Sequence, residues 1–341
     1  MKQIIKHISI LFFVFNCLNV NAQDLHFSQY FNAPLLVNPA NTGFITDYDY
    51  RIGGNYRNQW ANFGNAYKTM SVWADGQLFY NKFENGWIGL GGALLKDEAG
   101  GGTLTATRGF VSAAYHQVIN DNGLLSIGAG FGLVNKRVDV SKLTFNNQWN
   151  GQFFDITIPN NEPFFYTSVY YTDLQVGINY AAFISDNLYL NAGISAFHLN
   201  QPSESFFAAS STANTQLNPR LNFFLNAQIK IQNVWIINPN IYVSKMGTAT
   251  ETVIGLNANR NLSGDGSNQL ILGLYYRNND AIIPVIGYEL SNYKLTFNYD
   301  ATISSFNTYN ATQGAYEISI IKSGIWKGGD KSIKCPKMVR F

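Results

Sequence analysis

Charge is scarce in this sequence. Asp, Glu, Lys and Arg make up 13% of its 341 residues, against about 25% in ordinary soluble domains. Cysteine is nearly absent, with only Cys17 and Cys335. Past residue 22 no apolar run reaches the roughly 20 residues of a spanning helix. Chemically versatile side chains are equally thin: beyond the first 22 residues the histidines are His26, His116 and His198. These shortages exclude a disulfide scaffold, a helical membrane bundle and a dense metal cluster. What is present is a 15% share of aromatic residues, 30 glycines and a mean hydropathy near zero, −0.08. Average hydropathy with so little charge implies apolar residues interleaved singly with neutral polar ones, as in a barrel strand between lipid and a wet lumen.

Residues 1–22 read as a signal peptide. Lys2 and Lys6 form a basic start, Ile8 to Val20 an apolar stretch, and Val20-Asn21-Ala22 a small-residue cleavage site before Gln23. Asn16 and Asn19 interrupt the stretch and argue against an anchor helix, and Asn16 before Cys17 does not fit a lipoprotein signal. Cleavage removes Lys2, Lys6 and Cys17, which leaves acidic and basic residues in balance and Cys335 without a disulfide partner. Balanced charge argues against a nucleic-acid partner.

Strict alternation dominates the remainder. Leu174, Val176, Ile178 and Tyr180 alternate with Gln175, Gly177 and Asn179; Tyr293, Leu295, Phe297 and Tyr299 alternate with Lys294, Thr296, Asn298 and Asp300. Successive strand residues point to opposite faces, so each segment carries one apolar and one polar face. The pattern predicts an all-β chain, a transmembrane antiparallel β-barrel of about 14 strands. They fall near 47–58, 66–79, 86–96, 103–118, 123–136, 170–183, 187–199, 218–231, 234–246, 250–261, 268–279, 281–290, 292–302 and 314–322. Pro239 and Pro284 interrupt two runs, because proline cannot donate to a ladder. A soluble β-sandwich also alternates, but it carries charge on its wet face.

The links alternate short and long, as in barrels with tight periplasmic turns and longer outer loops. An even strand count then places both termini in the periplasm of a Gram-negative cell. Trp60, Tyr80, Trp87, Tyr115, Tyr171, Trp235 and Tyr288 fall near strand ends, where an interfacial belt is expected. The division that follows is a signal peptide at 1–22, a periplasmic N-terminal segment or plug at 23–46, the barrel at 47–324 and a basic periplasmic tail at 325–341. Asp49, Arg51, Asn55 and Arg57 share one face of the first strand, and Lys294, Asn298 and Asp300 one face of a late strand. First and last strands neighbour each other in a closed barrel, so these groups are expected to form opposed lumen charges.

The sequence offers no enzyme. His116 and His198 have no acidic residue at a triad or ligand spacing, and no cofactor or metal motif is present. Gly264-Asp265-Gly266 reads as a turn and Gly100-Gly101-Gly102 as a loop. Glycines expected to face the lumen, Gly128, Gly130, Gly177 and Gly193, leave room for a channel.

The chain after the leader reads Gln23-Asp24-Leu25-His26-Phe27-Ser28-Gln29-Tyr30, then Asn38-Pro39-Ala40-Asn41-Thr42-Gly43 and Tyr56-Arg57-Asn58-Gln59-Trp60. With Cys335-Pro336-Lys337 near the other end, this resembles the PorP/SprF family of outer-membrane proteins of the type IX secretion system in Bacteroidetes. The tail departs from the family's usual ending, because Met338 and Val339 intervene before Arg340-Phe341. The resemblance implies a non-enzymatic barrel that supports secretion or surface attachment of large cell-surface proteins such as gliding adhesins. Its implied neighbours are outer-membrane lipid, the translocon, periplasmic ring components and the C-terminal domain of a secreted surface protein. His26, Phe27, Ser28, Gln29, Tyr30, Asn38, Pro39, Arg57, Gln59 and Trp60 are the residues expected to contact partners. The alternative is a diffusion channel for small solutes. The segment before the first strand is too short for a hatch domain of the kind found in fatty-acid channel barrels.

Overall fold

The computed structural model describes residues 25–45, 48–61, 66–83, 85–120, 122–162, 166–207, 215–310 and 312–326. The expected leader and almost all of the expected tail, with Cys335, lie outside these. Fourteen antiparallel strands close into one barrel in which each strand pairs with its sequence neighbours and the first with the last. They are β1 (Tyr50–Gln59), β2 (Tyr67–Phe83), β3 (Gly86–Ala99), β4 (Leu104–Ile119), β5 (Gly123–Val138), β6 (Ser168–Ser185) and β7 (Leu188–Phe197). There follow β8 (Arg220–Ile231), β9 (Trp235–Met246), β10 (Ala249–Asn261), β11 (Asn268–Arg277), β12 (Ala281–Leu290), β13 (Tyr293–Thr302) and β14 (Gln313–Gly324). Closure leaves no unpaired edge, and this lets strands cross a medium without water. Among the described residues no helix is long and apolar enough to do so.

Alternation sets the two faces. Val72, Leu94, Val111, Leu133, Ile254 and Leu274 stand out from the barrel, exposed by 52–67%. Their strand neighbours Ser71, Ala93, Ser112, Val134, Val253 and Tyr275 are buried inside. A belt of exposed aliphatic side chains over a buried, largely polar interior inverts the arrangement of a soluble protein.

Both prolines lie within strands and interrupt the ladder on one side only. Pro239 pairs with Leu256 of β10, while the β8–β9 ladder skips from Asn226↔Asn240 to Ile229↔Ile237. Pro284 pairs with Leu274 of β11, and the β12–β13 ladder has a gap at the same level. The missing N–H faces one neighbour, so only that ladder loses a bond.

The links follow the expected alternation with exceptions at both ends, among them the three-residue link 278–280 between β11 and β12 at the long-loop end. Short turns such as 120–122, 186–187 and 291–292 close one end, and loops 139–167, 198–219 and 303–312 stand at the other. At the long-loop end, however, β9 and β10 are joined only by Gly247 and Thr248. At the short-turn end, β10 and β11 need 262–267, where hydrogen bonds from Ser263 and Ser267 hold the Asp265 carboxyl down to about 2. At the long-loop end β6 rises above β7, since it pairs with β5 from Ser168 but with β7 only from Val176.

The start of β1 and the end of β14 lie side by side at the short-turn end, Tyr50 opposite Gly324. The chain ahead of β1, however, folds back through the lumen. Leu25 accepts a hydrogen bond from Arg220 at the long-loop end of β8, whereas the Trp326 amide donates to Asp49 at the short-turn end. The two described ends therefore point to opposite mouths, and the even strand count alone placed them together.

Candidate functional site: the filled lumen

Residues 25–45 form a compact chain of tight turns. Tyr30–Asn32 and Pro39–Asn41 are single 3-10 turns, and Pro34–Val37 is one turn of α-helix. Pro34 and Pro39 open the latter two, at positions where a helical N–H has no partner to lose. Asn38 between them is extended, and its side chain accepts from the Ala40 amide at 2.8 Å. Its local geometry is thus written in the spacing Pro34, Asn38-Pro39, Gly43.

Near the long-loop mouth this segment is held by buried charge. Glu317 of β14 accepts from the backbone amides of Ser28 and Gln29 at 2.7 and 2.9 Å. Arg57 of β1 donates to Glu317 at 2.5 Å, to Asp300 of β13 at 2.9 Å and to the Ser28 hydroxyl at 2.7 Å. Arg277 of β11 donates to Asp300 at 3.0 Å and to Asp280 at 2.9 Å, and its Nε lies 3.2 Å from Glu251 of β10. His26 Nε2 stands 3.6 Å from the same Glu251, and burial lowers its pKa although that carboxylate opposes the shift. Two guanidinium forks thus neutralise the carboxylates that cap the start of the segment.

Deeper in the barrel the contacts become neutral. Gln29 donates to Asn298 and Asn32 to Thr296. The Tyr30 hydroxyl donates to Asn240, and its ring stacks on Tyr242 with centroids 4.8 Å apart. Ser195 and Asn222 both donate to the Val37 carbonyl, at 2.6 and 3.1 Å. Towards the short-turn mouth, Asn179 donates to Asn41, Thr42 Oγ1 meets Ser112, His116 Nε2 lies 2.8 Å from the Thr42 carbonyl, and the Gly43 amide donates to Asp75. Trp87 donates to the Gly43 carbonyl at 3.0 Å and stacks on His116. Three apolar clusters complete the packing, each built on the segment: Tyr30 and Val37 with Phe224 and Ile283, Leu35 with Trp73 and Leu95, and Phe44 with Leu124 and Phe183. Burial of each such side chain contributes about 1.5–3 kcal/mol.

The lumen glycines do not leave an open passage. A β-carbon on Gly128 would strike Pro39 and Ala40, and one on Gly177 would strike Asn38. At Gly193 it would meet Phe224 and Asn38, and at Gly130 it would meet Gln175. These glycines admit the segment's backbone and its flanking wall side chains, so the space expected of a channel is filled. Short as it is, the N-terminal segment occupies the lumen.

The structure brings together most of the residues singled out from sequence. His26, Phe27, Ser28, Gln29, Tyr30, Asn38 and Pro39 are packed inside the barrel and satisfied by its wall. Arg57 joins Asp300 as an opposed charge pair, but Arg51 pairs with Asp75 of β2 at 2.6 Å, not with β13. Lys294 lies over the Phe31 ring at 5.8 Å, opposite Glu289 in the β12–β13 register. Asp49 accepts from Trp326 at the rim. Gln59 accepts from Arg57, and Trp60 packs edge-on to Tyr67 at the long-loop end.

Two expectations are corrected. Trp87 is fully buried in the lumen and does not belong to an interfacial belt, because its side chain points inward from β3. His198 does meet an acidic residue: Asp173, on the paired strand β6, lies 2.9 Å from its Nδ1. Sequence spacing could not show a contact made across a ladder. Glu251 and Arg277 of the charge cluster, and Asp75, which holds Arg51 and the Gly43 amide, carried no sequence signal beyond inward strand parity, whereas Glu317 stands in the stretch Tyr316-Glu317-Ile318-Ser319-Ile320 that shares in the family resemblance. Among the described residues no group of His, Cys, Asp and Glu is placed to hold a metal.

One space remains. A cavity of about 710 Å³ lies between the segment and the β7–β13 wall and reaches the short-turn mouth at Asp265, Gly266, Ser291 and Asn292.

A closed antiparallel barrel with an apolar outer belt and a segment packed in its lumen defines an outer-membrane β-barrel protein. Among solved structures it is similar to the deltaS2S3 mutant of TodX, a monoaromatic hydrocarbon channel. Identity is 10% over 85% of this chain and 93% of that one, with a TM-score of 0.51. The deltaS2 mutant of TodX gives 9% identity, 86% and 94% coverage and a TM-score of 0.51. The P. putida toluene transporter TodX gives 9%, 86%, 94% and 0.49. At such identities the first two likenesses establish the fold alone. No curated protein matches the sequence. The model of the family described as type IX secretion system membrane protein PorP/SprF matches residues 19–321, and the chain belongs to that family. It is a membrane component of the type IX secretion system, located in the outer membrane.

Proposed function

We propose that this chain is a non-enzymatic outer-membrane component of the type IX apparatus that works as a closed platform. It supports secretion or surface attachment of large cell-surface proteins such as gliding adhesins. The observation that carries this reading is the filled lumen, where residues 25–45 are hydrogen-bonded to the wall along their length. A barrel sealed in this way serves through its rims. In this reading the short-turn rim and the C-terminal tail face the periplasm and its ring components. The long-loop rim faces outward and receives the C-terminal domain of a secreted surface protein. Loop 139–167 offers a surface for it: Trp149, Phe153, Phe154 and Ile156 are exposed by 45–77%. Exposed aromatic clusters of this kind mark docking sites. The test is a deletion strain complemented with the wild-type gene or with Trp149→Ala/Phe153→Ala. Surface display of large secreted proteins should fail in the deletion and fall in the variant. Normal display in the deletion strain would end this reading.

The diffusion channel remains the second reading, favoured by the cavity at the short-turn mouth. Stable conductance of the purified protein in planar bilayers would support it.

A further inference from the structure

We infer that the cavity at the short-turn mouth is a binding site for an extended, uncharged polar segment of a second polypeptide. Its orientation towards the periplasm rests on the function proposed above; its chemistry does not.

The lining is unusual in being rich in amides. Asn191 of β7, Asn226 and Gln228 of β8, and Asn257 of β10 all line it. Their side-chain oxygens are buried and have no hydrogen-bond partner among the described residues. An unpaired buried amide oxygen is destabilising, so an array of them in one wall points to an occupant that pairs with these side chains once they turn towards it. Turning about the last bond presents either amide oxygen or nitrogen. The amides form two rows across the wall: Asn191, Asn226 and Asn240 lie opposite one another, and Asn238 lies opposite Asn257. A chain laid across these rows meets one amide per strand, about every 4.8 Å. Charge is confined to the edges, where Arg51 is paired with Asp75 and Lys294 faces Glu289.

The same wall already shows what it binds. Ser195 and Asn222, on the inward faces of β7 and β8, hold the Val37 carbonyl, and Asn240 holds Tyr30. Asn191 and Asn226 continue those faces towards the mouth, beyond the reach of the segment. A volume of about 710 Å³ falls within the roughly 300–1,000 Å³ of ligand sites. The wall's chemistry for peptide backbone favours a polypeptide over a saccharide.

The experiment uses the full-length protein in lipid nanodiscs carrying Gln228→Cys, with Cys17→Ser and Cys335→Ser to remove the native thiols. Maleimide labelling is followed with a capped peptide alternating Thr and Asn, and separately with maltoheptaose. At saturation the peptide should slow labelling about tenfold, and Asn226→Leu/Asn257→Leu should abolish the protection. Asn226→Ser/Asn257→Ser replaces that pair if heat-modifiable migration shows that the leucine variant does not form a barrel. Protection by maltoheptaose alone, or by neither probe, overturns the inference. In native cells, faster labelling when secreted surface proteins are absent identifies them as the source of the segment, and unchanged slow labelling identifies a resident component. Peptide protection with normal surface protein display in a deletion strain would keep this site while rejecting the secretion role.

Discussion

Asn38 seats its side-chain amide on the bare Cα of Gly177 and donates to the carbonyls of Ile178 and Ile194, 3.0 and 3.1 Å away. One residue of the lumen segment is thereby tied to two adjacent strands, where a β-carbon has no room. Gly177→Ala should therefore displace Asn38 and cost about 1–3 kcal/mol, as overpacking does. Gly54→Ala, where a β-carbon meets only ordinary contact, should stay within about 0.5 kcal/mol of the wild type. Urea titration of the barrel in vesicles reads the difference, and equal effects at both glycines would refute the close fit.

Arg57→Ala removes the fork that faces Glu317 and Asp300 inside the barrel. Its side chain is 4% exposed and those of its partners 2% and 3%, so both carboxylates lose a buried counter-charge. The expected cost is about 3–5 kcal/mol. Arg57→Lys should recover only part of it, because an ammonium cannot bridge two carboxylates with a planar fork. The same titration distinguishes the variants; a lysine as good as arginine would show that point charge alone suffices.

Val111 stands 64% exposed on the outer face of β4. A lysine there should cost about 2–4 kcal/mol at bilayer mid-depth, whereas an exposed site in water tolerates it within about 0.5 kcal/mol. Folding yields in vesicles decide this. An unimpaired Val111→Lys would be incompatible with a lipid-facing belt.

A filled lumen should conduct poorly. In planar bilayers the intact protein is expected to give no stable channel, and deletion of residues 25–44 to give steady ion conductance. Steady current from the intact protein would favour the diffusion-channel reading instead.

The strands were legible because a period of two is a local property. Leu174, Val176, Ile178 and Tyr180 announce a face without reference to any other segment, and they do face outward. The same parity placed Arg57 and Asp300 inside. It could not tell that Arg51 turns to Asp75 across β1–β2 while Arg57 reaches across to β13 and β14. Trp87 was misplaced for a related reason: nearness to a strand end suggests a belt, but parity sends the ring inward. Asp173 and His198 met only because β6 and the end of β7 are hydrogen-bonded neighbours.

Composition and alternation by themselves determined a membrane barrel of about fourteen strands with apolar flanks and a polar interior. The motif around His26, Asn38 and Arg57 determined its family. Only the tertiary structure decided that residues 25–45 run back through the lumen, that the interior glycines are filled, and that a row of amides is left unpaired at one mouth. Strand faces follow from neighbours in sequence, whereas lumen contacts such as Ser28 with Glu317 join positions 289 residues apart. Those contacts exist only once the cylinder has closed.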